Sequence, residues 1–283
     1  MFRLKTLLVV GLWLALVLPL QLCAAEADLE GDPDTKPATE PIALSRGAFE
    51  VAWYKPIDQP VRGLFILGSG DGGWSYWETR LARHLAKRGW AVAGVDFALY
   101  ATTDFSQEIV AADFARMVDD LKRRSEQPTQ ALQTPAPALE AKPPLPVIYG
   151  GWSMGAEQAI PAAAVVAMRP TGLRGLLLVA PGARGRYGLH TPDKLGITPI
   201  GEGTFGLADF GSQLSGLKLA QLHAGLDPLD SINWYQGLPL TLRLWKFPRA
   251  FHDFNNASDP FLALTDKAID WVLAPSGSQK KTP

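Results

Sequence analysis

The chain has 283 residues, of which 47% are apolar and 19% charged, a length and composition that suit one large domain with a sizeable core. Lys and Arg number 27 against 28 Asp and Glu, a formal net charge of −1, so the basic field that nucleic-acid binding requires is missing and no nucleic-acid partner is expected.

In chain order, the first element is an address. Arg3 and Lys5 precede an apolar run from Leu7 to Leu22, and Ala24, Ala25 and Ala27 then offer a cleavage site. Residues 1–25 are therefore expected to be a secretory signal and the mature protein to be periplasmic. The alternative, an uncleaved anchor, is disfavoured because the run is at the short end for a bilayer span and no second span follows. Cys23 is the only cysteine, so no intramolecular disulfide is expected in the exported domain. Lipidation of Cys23, and with it association with a membrane surface, stays open, although Leu22 is bulky where lipoprotein signals place a small residue. Residues 26–45 are polar, contain proline and read as a linker.

The folded domain is expected over residues 46–275, with a polar tail at 276–283. Ala48 to Tyr54 alternates as a half-buried strand, placed at a sheet edge by Pro56 and Pro60. Gly63 to Leu67 is continuously apolar and suits a central strand covered on both faces. It runs into Gly68-Ser69-Gly70-Asp71-Gly72-Gly73-Trp74, where four glycines in six residues indicate backbone that bends sharply or approaches a ligand closely. Neither a Gly-Lys-Ser/Thr ending nor dinucleotide-loop spacing accompanies them, which removes both common phosphate cradles.

Trp77, Leu81 and Leu85 recur at helical spacing, with His84 on the flank as a structural histidine. Trp90 to Asp96 is a second buried strand, and Val110, Phe114, Met117, Val118 and Leu121 mark the next helix. Residues 126–144 turn to Pro, Ala, Gln and Thr and read as a flexible insert on the face away from the site. The apolar run Leu145 to Tyr149 leads into Gly151-Trp152-Ser153-Met154-Gly155 and an alanine-rich helix. A G-x-S-x-G pentapeptide between strand and helix holds its serine on a strained bend at the strand's carboxyl end, so Ser153 is the candidate nucleophile. The amides of Asp71 and Met154 are the candidate oxyanion hole, each such donor being worth about 3 kcal/mol.

Leu173 to Val179 is another strand, followed by a glycine-rich insert over 181–216 that emerges on the site face and is the candidate substrate-contacting cap. Arg184, Arg186, His190 and Lys194 cluster there, either as a solvated loop or as a subsite for an anionic group, with Arg184 and Arg186 the candidate substrate-binding residues. Leu217 to Ala224 is a strand ending before Asp227 and Asp230, and Leu240 to Trp245 is a strand ending before His252. Serine, aspartate and histidine in that order, each just beyond a strand, is the α/β-hydrolase arrangement of a triad. Asp227 is preferred to Asp230, which could instead cap a short helix near Ser231. His223 reads as structural within its strand. The alternation of strands and helices implies a mostly parallel sheet with helices on both faces.

Together, Ser69-Gly70-Asp71-Gly72-Gly73-Trp74, Gly94-Val95-Asp96 and Gly151-Trp152-Ser153-Met154-Gly155-Ala156 resemble the VirJ-type virulence-associated hydrolases of bacteria. That family includes periplasmic proteins and the hydrolase domain of enzymes that remove the aminoacyl group from aminoacyl-phosphatidylglycerol. The similarity spans about Gly63 to Trp271 and is most specific in the Ser69 to Trp74 loop. It implies an exported α/β-hydrolase with Ser153, an aspartate and His252 as its triad, and an aminoacylated phospholipid as substrate. The chain departs from the family in Trp152 and Met154, where Tyr and Phe are usual, and in the length of its inserts. Phe251-His252-Asp253-Phe254 also resembles dienelactone-hydrolase-like enzymes. The expectation is a serine esterase working through an acyl-enzyme, with no metal or organic cofactor. A general periplasmic esterase or lipase is the alternative within this class, and a noncatalytic binding protein of an envelope complex, retaining the scaffold, is the alternative from another class.

Overall fold

The computed structural model describes residues 38–126 and 143–275. The expected signal at 1–25, Cys23, nearly all of the 126–144 insert and the 276–283 tail lie outside the described residues. No helix among the described residues is long and apolar enough to cross a membrane.

Eight strands form one sheet. They are β1 (Thr39–Leu44), β2 (Gly47–Tyr54), β3 (Gly63–Gly68), β4 (Trp90–Val95), β5 (Val147–Trp152), β6 (Leu173–Val179), β9 (Lys218–Ala224) and β10 (Thr241–Phe247), in the spatial order β1-β2-β4-β3-β5-β6-β9-β10. β1 and β2 are antiparallel to their neighbours and the other six are parallel. β3, β4 and β5 are buried at every position, as strands covered on both faces must be.

Successive residues of β3 feed opposite faces. Phe65 and Leu67 join one apolar cluster with Leu81 and Leu85 of α1 (Tyr76–Lys87) and Phe261, Ile269 and Val272 of α6 (Ser258–Leu273). Leu64 and Ile66 join the other, with Phe114 and Met117 of α3 (Gln107–Glu126) and Ala159 and Ile160 of α4 (Met154–Ala164). The short helix α2 (Phe97–Tyr100) follows β4 directly and is capped by the Asp96 side chain.

The last residues of the expected linker belong to the sheet. Thr39 to Leu44 pairs along its length with β2, so β1 is the edge strand and β2 lies one place inside. Pro41 made this segment read as a linker, yet proline is tolerated on an edge strand, where an N–H can be spared. The insert at 181–216 also carries structure: β7 (Arg184–Arg186) pairs antiparallel with β8 (Thr204–Gly206), and α5 (Thr191–Lys194) lies between them. Tyr187 packs on Phe205 with ring centroids 4.5 Å apart, and Leu189 donates its amide to Ala101 O at 2.9 Å, fastening the ribbon to the segment after α2.

Strand order sets where the site forms. From β3 the chain steps to β4 on one side and later returns to β5 on the other, so the carboxyl ends of β3 and β5 flank the point where the order reverses. In open α/β sheets the crevice at such a point is the place for a ligand.

Candidate active site

The glycine-rich loop and the serine bend interlock at the ends of β3 and β5. A Cβ on Gly155 would lie 2.3 Å from the Gly68 carbonyl oxygen, and one on Gly151 2.4 Å from the Gly155 carbonyl carbon. No side chain fits at either place, which gives the pentapeptide's glycines their physical reason. Between them Ser153 adopts φ 47° and ψ −114°, the strained bend expected of a nucleophile at a strand-to-helix turn.

The loop after β3 is held from several sides. Ser69 Oγ accepts from the Phe97 amide at 2.9 Å. Glu78 accepts from the Ser75 amide at 2.9 Å and from its hydroxyl, closing a capping box on α1. Trp74 lies over β4, where a Cβ on Gly94 would come within 2.2 Å of the Trp74 ring. Gly94 is thus the space into which Trp74 packs, so the two quoted segments Ser69 to Trp74 and Gly94 to Asp96 are one packed unit. Among the described residues the amides of Asp71 and Met154 donate to no protein acceptor, as an oxyanion hole requires.

The histidine loop is seated against the serine bend. Trp152 Nε1 donates to the His252 carbonyl at 2.9 Å, and the Trp152 ring packs with Phe254 and Phe261. His252 Nδ1 meets Asp227 Oδ2 at 2.5 Å, while Asp227 Oδ1 accepts the Leu229 amide at 2.9 Å. Asp230 is committed elsewhere: it accepts from His223 Nδ1 at 2.8 Å, the Ala224 amide at 2.7 Å and Gln221 Nε2 at 3.1 Å. No helix starts at Ser231, so capping is not the role of Asp230. Gln221 in turn accepts from Trp234 Nε1 at 3.0 Å, completing a buried network beneath the Asp227 loop. His84 bonds Asp266 of α6 at 2.9 Å, a role in packing α1 against α6.

Ser153, Met154, Asp71 and His252 line one cavity of about 550 Å³, within the range of small-molecule sites. No hydrogen bond joins the Ser153 hydroxyl to His252. In ligand-free enzymes this contact is often loose and tightens when substrate binds.

Charge in the cavity is uneven. Burial alone would lower the His252 pKa, but its hydrogen bond to Asp227 and the charges of Asp227, Asp230 and Asp71 raise it above the usual imidazole value. Burial pushes Asp227 up, and its bonds from His252 and the Leu229 amide more than reverse this, so its pKa is lowered. A histidine acting as general base must be neutral. The acid limb of the pH–rate profile on a soluble ester should therefore have its midpoint above the ordinary histidine value of about 6.5, with activity falling as pH drops through it. A limb centred clearly below that value would contradict the pairing.

Sequence reasoning missed Glu157. It follows Ser153 by one helical turn, lines the same cavity and accepts the Gly182 amide at 2.9 Å. Burial pushes its carboxyl up to about 7, against the pull of the Gly182 amide. The spacing of four from the serine was the available signal. Arg184 and Arg186 also line the cavity, but their donors are largely engaged within the insert. Arg186 pairs with Asp193 at 2.9 Å and donates to the Glu202 and Ile200 carbonyls. Arg184 donates to the Pro199 carbonyl and Thr204 Oγ1. Lys194 is the exposed cation of the cavity wall, with no ion pair among the described residues.

The family model of the bacterial virulence protein VirJ matches residues 63–134, the segment from β3 through the glycine-rich loop to α3 and beyond. Ser153, Asp227 and His252 lie outside it. No curated protein matches the chain in sequence at a significant level. Solved structures share its fold. An α/β serine hydrolase without a lid from Xanthomonas campestris is 18% identical with a TM-score of 0.54, covering 86% of this chain and 98% of its own. The esterase domain of a Rhodothermus marinus protein is 16% identical with a TM-score of 0.54, over 83% and 96%. A dienelactone hydrolase from Anabaena variabilis is 19% identical with a TM-score of 0.52, over 84% and 95%. The fold is that of the α/β hydrolases.

Proposed function

We propose, with the α/β-hydrolase fold as premise, that this chain is an exported serine hydrolase cleaving a carboxylic ester through an acyl-enzyme, with an aminoacylated phospholipid such as aminoacyl-phosphatidylglycerol as substrate. One observation carries the reading: the 2.5 Å contact of His252 with Asp227 at a cavity that Ser153 also lines. In this mechanism Asp227 holds the proton of His252 on Nδ1, leaving Nε2 free to take the proton of Ser153 as its oxygen attacks the ester carbonyl. The oxyanion falls to the amides of Asp71 and Met154. His252 then delivers its proton to the leaving alcohol, and a water repeats the sequence to release the acid. Export rests on the residues at 1–25, which also motivate a periplasmic location.

Two things motivate an aminoacyl substrate: the resemblance of the glycine-rich loop and serine bend to VirJ-type hydrolases, and the carboxyl groups of Asp71 and Glu157, which line the cavity with Ser153. An ammonium next to the scissile carbonyl would be met by negative charge there, and would favour the ionised form of Glu157. Glu157→Gln keeps an acceptor for the Gly182 amide while removing the charge. It should lower kcat/KM for an aminoacyl ester by about tenfold, the worth of one charge-assisted hydrogen bond. A neutral acyl ester of the same alcohol should change by less than about twofold on the same ground. Equal losses on both would remove the ammonium role and leave a general esterase.

A further inference from the structure

We propose that the mouth of the cavity is a docking face for an anionic lipid surface. Six of the eleven large apolar side chains exposed among the described residues are Leu195, Ile197 and Ile200 of the insert, Leu226 and Leu229 of the aspartate loop, and Phe251 of the histidine loop. Their exposure runs from 45% at Leu229 to 73% at Ile200. They come from three segments that touch one another. A Cβ on Gly196 would lie 3.6 Å from Leu229 Cδ1, joining the insert to the aspartate loop. The Leu226 amide donates to the Ala250 carbonyl at 2.9 Å, joining that loop to Phe251. Ile197 and Leu229 also line the cavity, as do Ser153 and His252, so the apolar rim is continuous with the site.

Scattered exposed apolar residues are ordinary, but a contiguous rim around one opening marks an interaction surface. The occupant follows from what the opening must admit, and this step rests on the serine-hydrolase reading. A protein seated on the rim would close Ser153 off from its ester. A lipid surface would present the ester to it, with apolar side chains entering the acyl boundary. Lys194, an exposed cation in the cavity wall with no ion pair among the described residues, adds attraction to anionic headgroups.

The test uses the secreted chain carrying Ser153→Ala, so that lipid is not consumed, sedimented with vesicles of equal parts phosphatidylglycerol and phosphatidylcholine. The parent should pellet with the vesicles. Leu195→Ser with Ile200→Ser, and separately Leu226→Ser in the aspartate loop, should each weaken partitioning by about tenfold or more. In the Ser153 background the same substitutions should leave turnover of a soluble short-chain ester unchanged. A parent that stays in the supernatant, or variants that pellet as the parent does, would overturn the proposal. So would a concentration-dependent dimer that the variants lose while vesicles are ignored, since the rim would then join two copies. Labelling of the Ser153 protein by a fluorophosphonate separates the two readings. Vesicle binding without labelling removes the hydrolase, whereas labelling without vesicle binding removes only the docking face.

Discussion

Replacing Ser153 by alanine should reduce ester turnover by about a million-fold, to the level left by binding and the oxyanion donors alone, and should abolish covalent labelling by a fluorophosphonate. The substitution is a clean one. The Ser153 side chain makes no cap hydrogen bond to α4, so its loss orphans no buried partner. Alanine at φ 47° is no worse placed than serine, both having a Cβ to accommodate. Denaturation midpoints of the two proteins should thus agree closely, and activity should be lost without unfolding. Label that persists in the alanine variant would place the nucleophile elsewhere and end the proposed mechanism. A folded parent that takes no label would favour a binding protein on the same scaffold.

Asp227→Asn and Asp230→Asn should fail in different ways. Asparagine at 227 can still meet His252 Nδ1, but as a neutral partner it no longer stabilises the imidazolium, and its amide can hold the wrong tautomer. A loss of about 10⁴-fold in kcat is expected, with stability little changed. Asparagine at 230 breaks a different network. Asp230 is buried and accepts from His223, the Ala224 amide and Gln221. One of these donors would be left facing an NH₂ group, at a cost of about 1–3 kcal/mol in stability. Turnover of the surviving folded protein should fall far less than in the first variant. Steady-state kinetics beside urea denaturation separate the two, and loss of turnover only in Asp230→Asn would reverse the assignment.

Much of the scaffold was legible because it is written in short-range pattern. β6 occupies the run Leu173 to Val179 that its apolarity marked, and α1 contains Trp77, Leu81 and Leu85, whose helical spacing marked it. The edge strand β1 was not legible. Its six residues include Pro41 and bury only Ile42 and Leu44, too weak an alternation to outweigh a polar, proline-containing context. The ribbon within the 181–216 insert was missed for a related reason. Its strands are three residues long and depend on each other and on Tyr187 packing on Phe205.

By itself the sequence determined the alternation of strands and helices, the two glycine-lined turns at strand ends, and the order of serine, aspartate and histidine. Each is encoded within a window of a few residues, where periodicity, turn chemistry and the absence of a Cβ act locally. Which aspartate serves which histidine was decided only in three dimensions. Asp227 and Asp230 stand three positions apart with similar surroundings in sequence, but the loop after β10 brings His252 to the first and β9 presents His223 to the second. The same holds for the charge of the cavity. Asp193 neutralises Arg186 and the Gly182 amide holds Glu157 at the wall, because contacts between segments far apart in the chain, not residue type, determine which charges stay available to a ligand.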